Sequence, residues 1–282
     1  MAISGKELAN KIKLDVKNKI DSIIESGNRK PCLVTILVGN NPASKVYVAN
    51  KEKACNEVGI LPIVERCDEN ITEESLLYLI KMYNDNKYVD GILVQLPLPQ
   101  HINAENVLKA IDPKKDVDGF HPENVAKLWL GQDCIKPCTP HGIMELIDYG
   151  NVDLTGKHVV VLGRSNIVGL PVAKMCLDKN ATVTVCHSKT ANLAELTRQA
   201  DVLIVAIGKP KFVTADMIGE DAVVIDVGIN RDENGKLCGD VDFEHVSKYA
   251  KYITPVPGGV GPMTIACLMK NTIECFLKQH VN

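Results

Sequence analysis

Short runs of apolar, often β-branched residues recur along the chain, and each is followed by a turn signal and a helical pattern. The first run predicts a strand over 32–38, which Gly-Asn-Asn-Pro separates from a helix predicted over 44–58. Further strands are predicted over 62–65 and 91–96, with a helix over 72–83 between them. Continuous apolar strands that alternate with helices are typical of a parallel sheet with both faces covered.

The second half of the chain repeats this rhythm. A helix predicted over 139–149 ends at Gly150, and buried strands are then predicted over 158–162, 182–186, 202–207 and 223–227. We expect a last helix, over 264–278, to return and pack on the first domain.

This pattern predicts the α/β class, with two doubly wound parallel-sheet domains. One predicted domain consists of residues 1–139 plus 260–282, and the other of residues 140–259.

Composition narrows the function classes. The 282 residues are 45% hydrophobic and 24% charged, as in an ordinary globular protein. A net charge of -3 offers no basic field for nucleic acid or an anionic membrane, and the run 204–207 is far too short to cross a bilayer. Because the N-terminus lacks an apolar core and carries Glu7, we expect a cytoplasmic enzyme rather than an exported one.

The ten cysteines are scattered singly, which favours reduced and mostly buried thiols. Cys134 and Cys138 have a spacing loosely like half of a metal site, but no second pair follows at a suitable distance. The loop over 112–120 concentrates carboxylates, yet its lysines argue against a dense cation cage. We therefore expect no metal site.

A candidate phosphate loop follows the strand predicted over 158–162. Gly163 permits a tight turn, Gly169 lets the following helix, predicted over 172–177, pack on the strand, and Ser165 takes the place of the second glycine of G-x-G-x-x-G. A plain turn glycine with a helix cap is the alternative. The strand-loop-helix context favours a dinucleotide site.

Cofactor choice depends on the end of the next strand, where NAD sites usually place an acid. This strand ends in Cys186-His187-Ser188-Lys189, without one. Arg164 and Ser188 instead offer a cation and a hydroxyl suited to a 2′-phosphate, which favours NADP over NAD. His187 and Lys189, each taken singly, are interpreted as a solvated loop.

On the helix over 44–58, Ser44, Tyr47 and Lys51 share one face. The residues expected to face the core are Val46, Val48, Ala54 and Val58. A lysine on a helix is usually solvated, so this face alone does not establish a site. Gln95, at the carboxyl end of its strand, and Asp118, in the acidic loop, are further candidates for ligand contact.

The chain resembles, almost end to end, the bifunctional methylenetetrahydrofolate dehydrogenase/cyclohydrolase family. The segments that carry the resemblance are Ser44–Lys51, Gly91–Pro99, Pro113–Phe120, Gly163–Pro171 and Pro257–Thr264. The resemblance implies a folate domain and an NADP domain with a cleft between them, a homodimer, and a place in one-carbon metabolism and purine biosynthesis.

The resemblance also implies roles for particular residues. Lys51 would be the catalytic cation or base, Gln95 would tune it, Tyr47 would stack on the pterin-side rings, and Asp118 would hydrogen-bond the pterin. Ser44, Pro257, Gly258 and Gly259 would line the folate site, and the family's NADP contacts match Gly163, Arg164, Ser165, Ser188 and Ile229.

Three alternatives remain open at this point. A dehydrogenase of the shikimate or amino-acid type shares the domain order, although Tyr47, Lys51 and the loop over 257–262 speak against it. A dehydrogenase-only member of the resembled family is expected to lack the lysine or its glutamine. A non-catalytic folate- or nucleotide-binding protein is the third.

Overall fold

A computed structural model of the chain describes residues 2–280, which divide into two compact units. The first unit contains Asn10–Cys138 and residues 265–280, and the second contains residues 2–9 and Thr139–Thr264. The division falls within the first and last helices, so each of them supplies residues to both units.

The helices are α1 (Gly5–Glu25), α2 (Pro42–Val58), α3 (Glu73–Asp85), α4 (Ala104–Ala110), α5 (Pro122–Trp129), α6 (Cys138–Tyr149), α7 (Gly169–Leu177), α8 (Leu193–Arg198), α9 (Phe243–Val246) and α10 (Val260–His280). The strands are β1 (Cys32–Val38), β2 (Leu61–Cys67), β3 (Gly91–Val94), β4 (His158–Leu162), β5 (Thr182–Cys186), β6 (Val202–Val205), β7 (Val223–Asp226), β8 (Asn230–Arg231), β9 (Leu237–Cys238) and β10 (Tyr252–Ile253). A short 3₁₀ helix spans Ala215–Met217.

The sheet of the first unit has three parallel strands in the order β2-β1-β3. All residues of β1 are buried, as expected for a strand covered on both faces. Helix α10 joins the core of this unit from residue 265 onward, where Cys267, Leu268 and Phe276 cluster with Leu33 and Val58.

Side-chain caps explain where two helices begin. The Thr72 side chain accepts from the backbone N–H of Ser75 at 3.1 Å, which confirms the predicted start of α3. Helix α2 begins two residues before the predicted Ser44, because Asn41 caps it and Pro42 occupies its first turn.

The second unit contains a five-stranded parallel sheet in the order β10-β7-β6-β4-β5. Strands β4 and β5 have the predicted limits, and β4 pairs with β5 on one side and β6 on the other. Strand β6 stops at Val205 rather than at the predicted 207, because the chain turns away after Ala206. Two parallel sheets flanked by helices confirm the predicted α/β class.

Several elements depart from the prediction. Helix α7 begins at Gly169 rather than 172 and α10 at Val260 rather than 264, since glycine and proline are tolerated in a first turn. The predictions did not include α1, α5, the β8–β9 hairpin or β10.

The state of the thiols and the hydropathy of the helices are further features of the fold. Nine of the ten thiols are buried and Cys67 is half-buried, and all ten are free, which confirms the expected buried thiols. Among residues 2–280, no helix is both long enough and apolar enough to span a membrane.

Candidate active site

One face of α2 carries the polar side chains expected to meet a ligand. Ser44 and Lys51 are buried, with Lys51 only 8% exposed, and Tyr47 is half-buried. Val48, Ala54 and Val58 face the core as predicted. Val46 does not: it is 60% exposed, because the buried stripe runs through positions 44, 48, 51, 55 and 58 and leaves position 46 on the outer side.

Lys51 and Gln95 are held in direct contact. The Lys51 Nζ donates to Gln95 Oε1 at 2.9 Å, and Gln95 Nε2 donates to the carbonyl of Leu96 at 2.7 Å. The backbone N–H of Gln95 continues the sheet by donating to Ile36 at 2.9 Å. Because its nitrogen is already bonded, the Gln95 amide presents its oxygen to the ammonium group.

Asp118 lies near the same lysine, so the structure brings Lys51, Gln95 and Asp118 together. Burial raises the pKa of Asp118, and the positive charge of Lys51 opposes that shift while Asp116 adds to it. The buried thiol of Cys138, which donates to the carbonyl of Val117 at 3.3 Å, also lies within hydrogen-bonding reach of the Asp118 carboxylate. Sequence reasoning treated this cysteine as structural and did not place it beside Asp118.

The Asp118 loop is fixed from several sides. Gly119 has φ +70°, and a side chain there would collide with the backbone of Lys136 and Pro137. On α10, the amide of Asn271 donates to the carbonyls of Val117 at 2.8 Å and Lys136 at 2.9 Å. The loop is thus rigid on the side that leads to Asp118.

Just before Asp118 in the sequence, Lys115 and Asp116 hold the fold together. Asp116 is 1% exposed and accepts from the backbone N–H of His121 at 2.8 Å and from Asn124 at 2.9 Å. Lys115 donates to the carbonyls that end α3, those of Tyr83, Asn84 and Asn86. Among residues 2–280, no cluster of three His, Cys, Asp or Glu side chains could hold a metal ion.

These groups form a polar corner in the first unit. It holds a buried ammonium, an amide, a carboxyl whose pKa is raised, and the half-buried phenol of Tyr47, whose pKa burial also raises. Within residues 2–280 the Lys51 ammonium forms no ion pair with a carboxylate, so it is suited to proton transfer, and the Asp118 carboxyl beside it can bind ring N–H groups.

In the second unit, the strand, loop and helix predicted around Gly163 occur in that order. Gly163 has φ +126°, and a Cβ there would overlap the carbonyl of Ala206. A Cβ on Gly169 would overlap the carbonyl of Gly163. The Ser165 hydroxyl accepts from the backbone N–H groups of Val168 at 3.2 Å and Gly169 at 3.4 Å, so it satisfies two N–H groups at the start of α7.

The candidate nucleotide contacts lie at the carboxyl ends of the strands. Arg164 and Ser188 are exposed after β4 and β5, and Arg164 forms no hydrogen bond or ion pair with any residue in the described range 2–280. Ile229 is 47% exposed after β7. His187 is not simply solvated, since its backbone N–H donates to Thr190 at 2.8 Å and its ring accepts from the N–H of Lys189 at 3.1 Å.

The loop over 257–259 belongs to the second unit, whereas the other residues expected to line the folate site belong to the first. Gly258 has φ +109°, and its carbonyl accepts from the N–H of Lys6 at 3.0 Å. Gly259 packs so closely on Pro255 that a side chain would collide with its carbonyl.

Two family models match the chain in tandem. The catalytic domain of tetrahydrofolate dehydrogenase/cyclohydrolase matches residues 3–118, and the NAD(P)-binding domain of the same family matches residues 137–280. The chain belongs to the tetrahydrofolate dehydrogenase/cyclohydrolase family.

Individual members of this family align with nearly the whole of this chain. Bifunctional protein FolD of Streptococcus agalactiae serotype Ia is 56% identical over 98% of this chain and 97% of its own length. The crystal structure of the bifunctional enzyme FolD from Campylobacter jejuni is 52% identical, with a TM-score of 0.95 and 98% of each chain covered. The Trypanosoma brucei dehydrogenase-cyclohydrolase, solved with NADP and an inhibitor, is 38% identical with a TM-score of 0.96, covering 100% of this chain and 99% of its own.

The shikimate type is similar only in fold. Shikimate 5-dehydrogenase from Thermus thermophilus is 17% identical, with a TM-score of 0.53 over 88% of this chain and 93% of its own. The tetrahydrofolate dehydrogenase/cyclohydrolase models, by contrast, match both halves of the chain.

Proposed function

We propose that this protein oxidises 5,10-methylenetetrahydrofolate to 5,10-methenyltetrahydrofolate with NADP and then hydrolyses the product to 10-formyltetrahydrofolate. Family membership over both units supports the pair of activities. The observation that carries the hydrolytic half is the 2.9 Å hydrogen bond between Lys51 and Gln95.

The second unit fits a dinucleotide. The backbone at the end of β4 is packed so closely that a side chain at Gly163 or Gly169 would overlap it. Two glycines therefore form a tight turn there, which a pyrophosphate can approach. Arg164 and Ser188 are exposed beside this turn and would hold the 2′-phosphate, and Gly163, Ser165 and Ile229 would contact the rest of the nucleotide. NADP, when bound, supplies the hydride acceptor.

The first unit would bind the folate. Tyr47 would stack on the pterin-side rings, with Ser44 beside it on α2, and Asp118 would bind the pterin N–H groups. Asp118 suits this role because its carboxylate offers two acceptor oxygens to adjacent ring N–H groups. Pro257, Gly258 and Gly259 are proposed as further folate contacts.

The two steps ask different things of the protein. Oxidation leaves a methenyl cation delocalised over two folate nitrogens, so the protein needs mainly to align the reacting carbon. Hydrolysis needs more, because water must lose a proton as it adds to that carbon, and the adduct must then open to the formyl product. Lys51, oriented by Gln95 and 8% exposed, is the group placed to carry those protons.

A dehydrogenase-only activity is the second candidate within the family. An enzyme with that activity alone is expected to lack the lysine at position 51 or the glutamine at position 95. Both residues are present here, and they are hydrogen-bonded to each other. This contact favours the bifunctional enzyme.

Three further properties complete the proposal. The enzyme acts in the cytoplasm, forms a homodimer, and supplies one-carbon units to purine biosynthesis. The folate domain is assigned to residues 1–139 plus 260–282 and the NADP domain to residues 140–259. Analytical ultracentrifugation tests the dimer.

One assay tests the proposed function. Purified protein is mixed with methylenetetrahydrofolate and NADP, and the methenyl absorbance is followed against a buffer blank. Appearance followed by accelerated decay supports both activities. Appearance with decay at the blank rate indicates a dehydrogenase alone. No absorbance, with binding of folate or NADP still measurable by calorimetry, indicates a binding protein.

A further inference from the structure

Asp240 is a buried carboxylate that the proposed chemistry does not use. It is 0% exposed, and its two oxygens accept four hydrogen bonds. Oδ2 accepts from the backbone N–H groups of Ile207 at 2.7 Å and Gly208 at 2.9 Å. Oδ1 accepts from the N–H of Lys209 at 2.8 Å and from the Asn230 amide at 2.8 Å.

The groups that donate to Asp240 belong to two different segments. Residues 207–209 form a loop after β6, and Asn230 is the first residue of β8, four positions after the end of β7. Because β6 and β7 are parallel, the chain leaves both strands at the same edge of the sheet. Ala206, next to the first loop, is the residue whose carbonyl packs against Gly163, and Ile229 directly precedes Asn230.

A second carboxylate holds Asp240 itself in place. Asp226, 2% exposed at the end of β7, accepts from the backbone N–H groups of Asp240 at 2.9 Å and Val241 at 3.0 Å. The space around the two carboxylates is filled, since a Cβ at Gly228 would overlap Asp240 and a Cβ at Gly239 would overlap Asp226. Asp240 is therefore held rigidly and cannot adjust to a lost contact.

The strand order indicates which part of the nucleotide these loops meet. In the proposed function, Arg164 and Ser188 hold the 2′-phosphate at the ends of β4 and β5. The loops bound to Asp240 follow β6 and β7, on the opposite side of β4 from β5. A dinucleotide that crosses the strand ends from β5 past β4 brings its nicotinamide to β6 and β7.

We propose that Asp240 is a positioning residue that fixes the loop over 207–209 and the Ile229–Asn230 segment as the walls of the nicotinamide subsite. This proposal rests on the proposed function for its ligand. Asp240 touches no nucleotide itself; it acts through the backbone of the loop over 207–209 and through the side chain of Asn230. A carboxylate suits the task because it accepts from four donors at once, whereas an amide in its place must turn an N–H group toward some of them.

The test compares the two activities in Asp240→Asn. Dehydrogenase kcat/KM is expected to fall at least about tenfold and the KM for NADP to rise, because a charge-assisted network is lost. Cyclohydrolase activity, assayed with methenyltetrahydrofolate and no nucleotide, is expected to stay within about twofold. The matched control is Asp242→Asn, since Asp242 is a nearby acid whose side chain pairs with the exposed His245.

Two outcomes overturn the proposal. Dehydrogenase activity equal to that of the parent removes the positioning role, and an equal fall in both activities makes Asp240 a general stability residue. If Asp240→Asn does not fold, Asn230→Ala replaces it, because that change removes a single donor to Asp240. A selective loss of dehydrogenase in this variant supports the proposal, and an unchanged ratio of activities overturns it.

The failure of the proposed function is a separate result. If the parent protein does not oxidise methylenetetrahydrofolate, calorimetry still tests Asp240. The binding of NADP is then compared with the binding of the NADP fragment that lacks the nicotinamide ring. Weaker binding of NADP by Asp240→Asn, with unchanged binding of the fragment, supports the positioning role. Equal binding of both by parent and variant overturns it.

Discussion

Lys51 on α2 and Gln95 at the end of β3 are joined by a 2.9 Å hydrogen bond, although 44 positions separate them in the sequence. The sheet order explains the meeting. β3 pairs with β1, and α2 follows β1 in the chain, so α2 passes beside the end of β3 and brings Lys51 to Gln95. A buried ammonium needs a partner, and a neutral amide satisfies it without placing a carboxylate in the same contact.

Lys51→Met is expected to abolish cyclohydrolase activity while folate still binds. Methionine has nearly the length of lysine and fills the same space, but it can neither give nor take a proton. We expect a loss of at least about a hundredfold in kcat, as is typical when a general acid or base is removed. Hydrolysis of methenyltetrahydrofolate, followed by its absorbance, measures the loss.

Lys53→Met is the matched control, because the Lys53 side chain is 75% exposed on the same helix and pairs only distantly with Glu57. It is expected to retain full hydrolysis. Full hydrolytic activity in Lys51→Met, or an equal loss in both variants, contradicts the role assigned to Lys51.

Arg164→Ala is expected to raise the KM for NADP far more than the KM for NAD. Arg164 is exposed and forms no hydrogen bond or ion pair within the described part of the chain, so the change removes a cation without breaking the fold. The only group that distinguishes the two nucleotides is the 2′-phosphate. An effect of about tenfold or more on NADP alone corresponds to one charge-assisted contact.

Steady-state kinetics with both nucleotides in the same preparation provide the comparison. Lys189→Ala, an exposed cation of the next loop, serves as the control for a general loss of positive charge. Equal changes in the two Michaelis constants for Arg164→Ala are incompatible with a 2′-phosphate contact.

Gly169→Ala is expected to impair dehydrogenase activity and to spare the cyclohydrolase. A Cβ at this position would overlap the carbonyl of Gly163, so α7 must move away from the end of β4 and open the turn. The affinity for NADP should fall with it. Calorimetry measures NADP binding, and both activities are assayed. If cyclohydrolase activity falls as much as dehydrogenase activity, the change has unfolded the protein rather than opened the turn alone.

Local patterns in the sequence predicted much of the fold. The limits of β1, β4 and β5 match, because continuous β-branched runs end at unmistakable turn signals. The hairpin β8–β9 and strand β10 escaped prediction since two-residue strands have no measurable period. Strand β6 ends early because Ala206 and Ile207, although apolar, turn toward Gly163 and Asp240.

The candidate site could be predicted only in part. The sequence spacing predicted that Ser44, Tyr47 and Lys51 share one face of α2. It could not predict that Lys51 is buried and Val46 exposed, because that depends on the rotation of the helix about its axis against the sheet. Cys138 and Asp240 were missed because their partners, Asp118 and the loop over 207–209, are distant in sequence. A buried carboxylate bound to backbone N–H groups carries no pattern in side-chain types.

Asp226 is expected to make the stability of the second unit fall as pH rises. Burial raises the pKa of Asp226 from its ordinary value of 3.8 to about 6, and the nearby Asp240 carboxylate adds to the shift. The folded state therefore binds this proton more tightly than the unfolded state does. The stabilisation is complete below about pH 3.8 and is lost as pH rises through about 6, a change of about 3 kcal/mol in the free energy of unfolding.

Asp226→Asn removes the titrating group, so the difference in free energy of unfolding between parent and variant is expected to shrink between about pH 4 and pH 7. Urea denaturation followed by circular dichroism at several pH values measures it. Asp221→Asn, an exposed change just before β7, controls for the general loss of an acid. A difference between parent and Asp226→Asn that stays constant or grows with pH would show that the hydrogen bonds from Gly228, Asp240 and Val241 outweigh the cost of burying the charge.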